Sequence, residues 1–254
     1  MDTEDWDDHD LYERSVQDAE ASVQLLERLH GGSPRVLGED FAGTAALSRA
    51  WVARGRERRA YAVDRDPRLL ARAGHPQVAA HVLDVRSAEL ARLAPCDVVH
   101  AGNFSIGELG SRAEVLGWAR TARARLAPGG LLAVDTYAGE SAWRRGALER
   151  RRALGGGIEL RWTWEQRRAD PLTARVENAL SFRVLRDGEV VQDRPEAFVY
   201  GWRLWSPAEL TDALAEAGFR DVEPVTCVDG SVATGASQAT GCVVLLAARD
   251  GSLG

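Results

Sequence analysis

The feature that most constrains how this chain folds is an alternation of short apolar segments with helical segments. The apolar segments, which we predict as strands, are residues 35–38, 59–63, 81–83, 97–101 and 131–134. The segments between them show helical spacing or helix-start signals such as Pro67. Because strands that alternate with helices form parallel sheets, the sequence predicts an α/β fold with a Rossmann-like, doubly wound sheet.

The second half of the chain follows a different pattern. A helix is predicted at residues 139–152 and another that begins at the N-cap Ser206. Antiparallel strands are predicted in three long, partly alternating segments, 158–166, 174–185 and 190–200. Closing strands are predicted at 222–227 and 242–248, with a loop between them. The result is a seven-stranded, mostly parallel sheet with an antiparallel last strand and an antiparallel β insert after the fifth strand.

We divide the chain into an N-terminal helical lid at residues 1–33 and one α/β domain at residues 34–249. The insert at residues 156–205 is expected to lie over the active site. The lid is predicted as a single amphipathic helix over residues 11–29, because apolar residues recur at helical spacing. These residues are Tyr12, Val16, Ala19, Val23 and Leu26.

Charge and composition exclude several classes of protein. The net charge is -6, but seven acidic residues precede the first arginine, so the rest of the chain is near neutral and a nucleic-acid partner is not expected. All 32 basic residues are arginine, which excludes a Schiff-base lysine and a Walker-A lysine. The three cysteines are scattered, and no cluster with metal-ligand spacing is visible, so neither a disulfide framework nor a metal site is predicted.

No apolar run approaches the ~20 residues of a membrane span, and the first residues are acidic, unlike a signal peptide. We therefore expect a cytoplasmic protein. Its oligomeric state is left open.

The order of elements resembles that of the class I S-adenosylmethionine-dependent methyltransferases over residues 34–249. An acidic residue follows each of the first three strands, and Leu126-Ala127-Pro128-Gly129-Gly130 precedes the fifth. In that family the first strand leads into a turn of the form E-x-G-x-G-x-G. The matching stretch 39–45 keeps the middle glycine, Gly43, and has Phe41 and Ala45 at the other two positions. The Trp-rich sequences at residues 162–166 and 200–205 resemble those of a bacterial branch of small-molecule methyltransferases.

The resemblance implies S-adenosylmethionine as cofactor. Asp64 would accept hydrogen bonds from the ribose hydroxyls, and Asp84 from the adenine amino group. Gly43 would let the backbone approach the methionine end, and Glu39 would either bind the ligand's ammonium or cap the next helix. The full set of implied cofactor-binding residues is Tyr12, Glu39, Phe41, Gly43, Asp64, Arg65, Asp84, Val85 and Asn103.

The resemblance also places the acceptor after the fourth strand and beneath the insert. Asn103 and Tyr137 are the candidate catalytic residues, with a turn-forming role as the alternative for Asn103. His100 and Cys96 are interpreted as core residues. The candidate residues for binding a small-molecule acceptor are Trp162, Trp164, Tyr200, Trp202 and Arg203. The alternative is that the aromatic residues only pack within a small sheet.

Three other functions remain as alternatives. A non-catalytic S-adenosylmethionine-binding protein is suggested by the altered glycine turn. A tRNA or rRNA methyltransferase would use the arginine clusters at 54–59 and 144–152. A dinucleotide oxidoreductase is disfavoured, because Gly38 and Gly43 lack G-x-G-x-x-G spacing.

Overall fold

The computed structural model describes residues 6–228, 231–233 and 242–250. The helices are α1 (Asp8–Ser15), α2 (Ala19–His30), α3 (Ala46–Ala53), α4 (Pro67–Leu70), α5 (Arg112–Ala124) and α6 (Pro207–Glu216). The strands are β1 (Val36–Asp40), β2 (Arg59–Asp64), β3 (Val78–Val82), β4 (Cys96–Ala101), β5 (Leu126–Ala138), β6 (Gly146–Gly155), β7 (Ile158–Asp170), β8 (Arg175–Arg186), β9 (Glu189–Arg203), β10 (Phe219–Val228), β11 (Ser231–Ala233) and β12 (Cys242–Asp250). Short 3₁₀ helices lie at Ala88–Arg92, Ser105–Glu108 and Glu140–Trp143.

The chain divides into two compact units. The large unit comprises Ala19–Gly139 and Trp205–Gly254, and the small unit comprises Met1–Asp18 and Glu140–Leu204. No helix in the described parts of the chain combines the length and apolar character that a membrane span requires.

The large unit contains a sheet with the strand order β11-β10-β12-β5-β4-β1-β2-β3. Strands β1 to β5 pair in parallel, whereas β12 runs antiparallel to both β5 and β10. This confirms the predicted doubly wound sheet with an antiparallel last strand. The structure adds an eighth strand, β11, where a loop was predicted, because three residues at a sheet edge are too few to show an alternating pattern.

Helices cover both faces of this sheet, and neighbouring residues of one strand enter opposite cores. On β4, Val99 packs into the core that contains Trp118 of α5, whereas Val98 packs into the core that contains Trp51 of α3. A strand that is buried on both faces appears in the sequence as a continuous apolar run. The sheet is therefore fixed from both sides, and the loops at its carboxyl ends are left to form a site.

The single helix predicted over residues 11–29 is wrong, because the chain breaks into α1 and α2. Leu11 of α1 is fully buried in the core of the small unit, whereas Val23 and Leu26 of α2 are buried against the large sheet. The apolar spacing continues across residues 16–18 and so does not reveal this break. Each helix has apolar residues at the same helical spacing, although the two helices pack against different cores. The expected lid is thus not one element.

The helix predicted at residues 139–152 is also wrong, because the second half of that segment belongs to strand β6. β6 is an edge strand of the four-stranded antiparallel sheet β6-β7-β8-β9, and almost all of its residues are exposed. An exposed edge strand has no apolar face to show in its sequence, and its alanine, leucine and arginine residues are good helix formers. The inserted part of the small unit therefore spans 140–204 rather than 156–205.

Candidate active site

A cavity of about 250 Å³ lies within the large unit, beside the ends of β2 and β3. It is lined by Phe41, Asp64, Arg65, Asp66, Leu69, Leu83, Asp84, Val85, Arg86, Ser105, Glu108 and Leu109. Five residues that the sequence singled out thus line one pocket, namely Phe41, Asp64, Arg65, Asp84 and Val85. The lining combines charged side chains of both signs with apolar ones, a combination that suits a small molecule with polar and apolar parts.

The turn after β1 adopts an unusual backbone conformation at three positions. The φ angles are 56° at Phe41, 54° at Gly43 and 59° at Ala45. These are the three positions at which the family motif has glycine. Left-handed backbone at a non-glycine residue costs of order 1–3 kcal/mol, and such strain clusters at functional sites. Phe41 and Ala45 thus adopt the left-handed backbone that glycine takes most easily.

Asp64 ties this turn to the end of β2. Its Oδ2 accepts a hydrogen bond from Gly43 N at 2.8 Å, and its Oδ1 accepts one from Asp66 N at 2.9 Å. The Gly43 N–H thus donates its hydrogen bond to a protein side chain. Asp64 is half-buried and faces the pocket with its remaining acceptor capacity.

Glu39 lies beneath the turn and caps a helix. It is only 5% exposed, and its Oε2 accepts hydrogen bonds from Ser48 N at 2.9 Å and Ser48 Oγ at 2.5 Å. The N-cap of α3, Ala45, has no side chain to do this, so a strand residue satisfies the free N–H instead. This geometry matches the capping alternative for Glu39.

Burial raises the pKa of Glu39 to about 7, above its ordinary value of 4.5. Between these two values the folded protein holds a proton that the unfolded chain releases. The free energy of unfolding should therefore fall as the pH rises from 4.5 to about 7, with a contribution of up to ~1.4 kcal/mol per pH unit. Glu39→Gln is expected to remove this contribution, and urea unfolding at a series of pH values measures it. If the free energy of unfolding depends on pH equally in the wild type and in Glu39→Gln, the raised pKa of Glu39 is wrong.

Asp84 and Arg86 form an ion pair at the pocket wall. Arg86 donates from Nε to Oδ1 at 2.9 Å and from Nη2 to Oδ2 at 2.5 Å. The hydrogen bond from Arg86 holds the pKa of Asp84 at about 2. Asp84 is therefore a carboxylate at neutral pH and can accept a further hydrogen bond.

A second ion pair joins two residues that line the pocket. Arg65 Nη2 lies 3.1 Å from Glu108 Oε2. Arg65 follows β2, and Glu108 belongs to the 3₁₀ helix after β4. The pocket is thus bounded by charged groups from two separate loops.

The loop after β4 is held by a residue that the sequence analysis missed. Asp135 of β5 accepts hydrogen bonds from Asn103 N at 2.9 Å and Phe104 N at 2.7 Å. The Phe104 ring meets Tyr137 edge to face, with ring centroids 5.1 Å apart. The candidate catalytic residues Asn103 and Tyr137 therefore lie in one cluster, where Asn103 forms the turn. The only signal for Asp135 was its position directly after the apolar run of β5.

A second missed carboxylate, Asp40, is fully buried at the end of β1. Arg125 Nη2 donates to both of its oxygens, at 2.8 and 2.6 Å, and Trp118 Nε1 donates at 2.8 Å. Both charged side chains are inaccessible to solvent. This pair fixes the end of β1 to α5 and thus supports the turn that follows.

His100 and Cys96 are buried in β4, as the core interpretation predicted. Burial lowers the pKa of His100 to about 4 and raises the pKa of the Cys96 thiol to about 12. Both side chains are therefore uncharged at neutral pH.

The aromatic candidates of the small unit lie on one face of its sheet, as the strand register requires. The Trp164 ring centroid lies 5.9 Å from those of Tyr200 and Trp202, and Tyr200 and Trp202 stack at 4.4 Å. We call these three residues the aromatic row. Trp162, Trp164 and Tyr200 all pack against the buried core of the small unit, and no ring contact among the described residues joins Trp162 to the row. Tyr12 contacts Phe198 edge to face.

Arg203 follows Trp202 on β9 and therefore points to the opposite face of the small sheet. The structure thus separates it from the aromatic row. No group of three or more His, Cys, Asp or Glu residues suited to a metal ion occurs in the parts of the chain that the structure describes.

No protein-family model matches this sequence, and no curated protein matches it. Solved structures do match. CalS10 from Micromonospora echinaspora, an S-adenosylmethionine-bound amino pentose methyltransferase, has a TM-score of 0.72 at 18% identity over 94% of this chain and 96% of its own. DesVI from Streptomyces venezuelae has a TM-score of 0.70 at 18% identity over 94% and 95%. The sugar N-methyltransferase KedS8 from Streptoalloteichus has a TM-score of 0.66 at 20% identity over 95% and 92%.

These likenesses cover nearly the whole of each chain, including the antiparallel insert. The protein therefore has the α/β fold of S-adenosylmethionine-dependent methyltransferases.

Proposed function

We propose that this protein is a methyltransferase that binds S-adenosylmethionine and methylates a small-molecule acceptor. The observation that carries the proposal is the pocket of the large unit, where Asp64 and Asp84 stand beside a turn with three left-handed residues. The solved structures with the same fold include an amino pentose methyltransferase and a sugar N-methyltransferase, and they support a small acceptor.

The residues of the pocket suit the adenosine part of this cofactor. Asp64 retains acceptor capacity for the two ribose hydroxyls, and the ionised Asp84 can accept from the adenine amino group. Phe41, Leu83 and Val85 supply apolar surface for the ring. Because Gly43 N donates to Asp64, other donors must meet the carboxylate of the methionine part.

When bound, the cofactor would supply an activated methyl group on a sulfonium, open to in-line attack by an acceptor atom. The chain then has to hold the two reactants in alignment and exclude water. We assign this task to the loop after β4, in which Asn103 and Phe104 are fixed by Asp135. The acceptor would gain the methyl group and release a proton to solvent, and S-adenosylhomocysteine would be the second product.

Titration calorimetry with the wild-type protein tests the cofactor assignment. We expect S-adenosylmethionine and S-adenosylhomocysteine to bind, and NAD to bind more weakly or not at all. Binding of neither adenosyl compound, or tighter binding of NAD, would overturn the proposal. Incubation with methyl-labelled cofactor and the small-molecule fraction of a cell extract then separates an enzyme from a non-catalytic binding protein, since only the enzyme labels a product.

We further propose that the aromatic row recognises the acceptor. Trp164 and Tyr200 are half-buried, whereas Trp202 is only 6% exposed. Flat aromatic surface binds apolar or sugar rings and can stabilise a nearby cation. Tests should therefore use Trp164 and Tyr200, because a change at the more buried Trp202 is expected to destabilise the small unit.

Trp164→Ala is expected to lower methyl transfer at least tenfold, about 1.4 kcal/mol in transition-state terms. Its affinity for S-adenosylhomocysteine should change less than threefold. The control is Leu172→Ala in the turn between β7 and β8 of the same unit, where Leu172 is 95% exposed and no change is expected. Unchanged methyl transfer by folded Trp164→Ala protein would show that the acceptor binds elsewhere.

A further inference from the structure

We propose that Asp135 is a positioning residue, which fixes the loop after β4 as one wall of the cofactor pocket. The proposal rests on the proposed function, since it concerns the same pocket. Asp135 is distinct from the pocket residues themselves, because it acts through the backbone of Asn103 and Phe104.

Asp135 stabilises a backbone conformation that the sequence does not favour. Asn103 and Phe104 are consecutive residues with φ angles of 55° and 60°. Two adjacent non-glycine residues in the left-handed region persist only where the surrounding structure holds them. The Asp135 carboxylate does this by accepting a hydrogen bond from each N–H, one on each oxygen.

The held residues lead directly into the pocket wall. Phe104 is the N-cap of the 3₁₀ helix Ser105–Glu108, and its side chain provides no cap of its own. Ser105, Glu108 and Leu109 line the cavity. The direction in which this wall leaves β4 is therefore set by the two hydrogen bonds to Asp135.

The neighbouring strand completes the support. Tyr137 lies two residues after Asp135 on β5 and packs edge to face on the Phe104 ring. β5 thus holds the loop through its carboxylate and through an aromatic contact. Charge-assisted hydrogen bonds are the stronger of the two kinds of contact, so the carboxylate has the larger share in fixing the loop.

The chain offers a close control for this role. Asp97, at the start of β4, also accepts hydrogen bonds from two consecutive N–H groups, those of Arg35 at 2.7 Å and Val36 at 2.8 Å. It lies at the amino ends of the strands, away from the residues that line the pocket. A purely structural role would give both carboxylates the same behaviour on replacement.

The test compares Asp135→Asn with Asp97→Asn by thermal unfolding and by calorimetry with S-adenosylhomocysteine. We expect both variants to lose thermal stability, but only Asp135→Asn to bind S-adenosylhomocysteine at least tenfold more weakly, with Asp97→Asn within twofold of wild type. Equal affinities of Asp135→Asn and wild type would overturn the inference. Failure of the wild type itself to bind would instead overturn the proposed function.

If Asp135→Asn does not fold, Asp135→Ser and Asp97→Ser replace the pair, because serine leaves room for water to bridge to the two amides. The serine variants are expected to bind S-adenosylhomocysteine with the same affinities as the corresponding asparagine variants. If both Asp135 variants fail to fold while both Asp97 variants fold, Asp135 is essential to the fold itself and the inference is wrong.

Discussion

Replacement of Asp64 by alanine is expected to weaken binding of S-adenosylmethionine and S-adenosylhomocysteine by at least ~2 kcal/mol, roughly thirtyfold. Two ribose hydroxyls would lose a charged acceptor. The same change removes the acceptor for Gly43 N and Asp66 N, so the turn after β1 loses its tie to β2. The loss should therefore exceed that of a ligand contact alone.

Two variants and calorimetry separate these contributions. Asp64→Asn keeps one acceptor oxygen and should bind with intermediate affinity. Asp170→Ala is the control, because Asp170 also accepts a backbone N–H in a turn, that of Leu172 at 2.9 Å, but lies in the small unit. Binding by Asp64→Ala within threefold of wild type would remove Asp64 from the cofactor site.

Replacement of Arg125 by alanine is expected to lower the free energy of unfolding by ~3–5 kcal/mol, because it leaves the buried Asp40 carboxylate without its charge partner. Arg125 and Asp40 are both fully buried, and two hydrogen bonds join them. Urea unfolding monitored by tryptophan fluorescence measures the loss.

An exposed ion pair provides the comparison. Arg112 and Glu216 lie 2.7 Å apart with about half of each side chain exposed, and Arg112→Ala should cost no more than ~1 kcal/mol. The double variant Asp40→Asn/Arg125→Met removes both charges and keeps an acceptor for Trp118, so it should be less destabilised than Arg125→Ala. A similar small loss for Arg125→Ala and Arg112→Ala would show that burial of the Asp40 pair has no such effect.

The pocket residues were accessible from sequence because their position along a strand defines their position in space. Asp64 and Asp84 follow neighbouring apolar segments, and the carboxyl ends of parallel strands meet at one edge of a sheet. Phe41 and Val85 were instead placed in the pocket by the resemblance to the methyltransferase motifs. No partner distant in the chain had to be identified for these assignments.

The supporting carboxylates needed information that local sequence does not hold. Asp40 is joined to Arg125, 85 residues away, and Asp135 to Asn103, 32 residues away. Any of the many acidic residues could have had such a partner. Glu39 shows the same limit, since its role as a helix cap follows from the contact with Ser48 rather than from its place in the motif.

The sequence by itself determined the alternation of strands and helices, the doubly wound sheet and the acidic edge of the pocket, because burial on both faces of a strand leaves a continuous apolar run that can be recognised. Only the tertiary structure decided that the N-terminal apolar stripe is two helices in separate units, and that the arginine-rich segment 146–155 is a strand. These elements are defined by what they pack against or pair with. An edge strand such as β6 is held by backbone hydrogen bonds to β7, and backbone groups are the same in every residue.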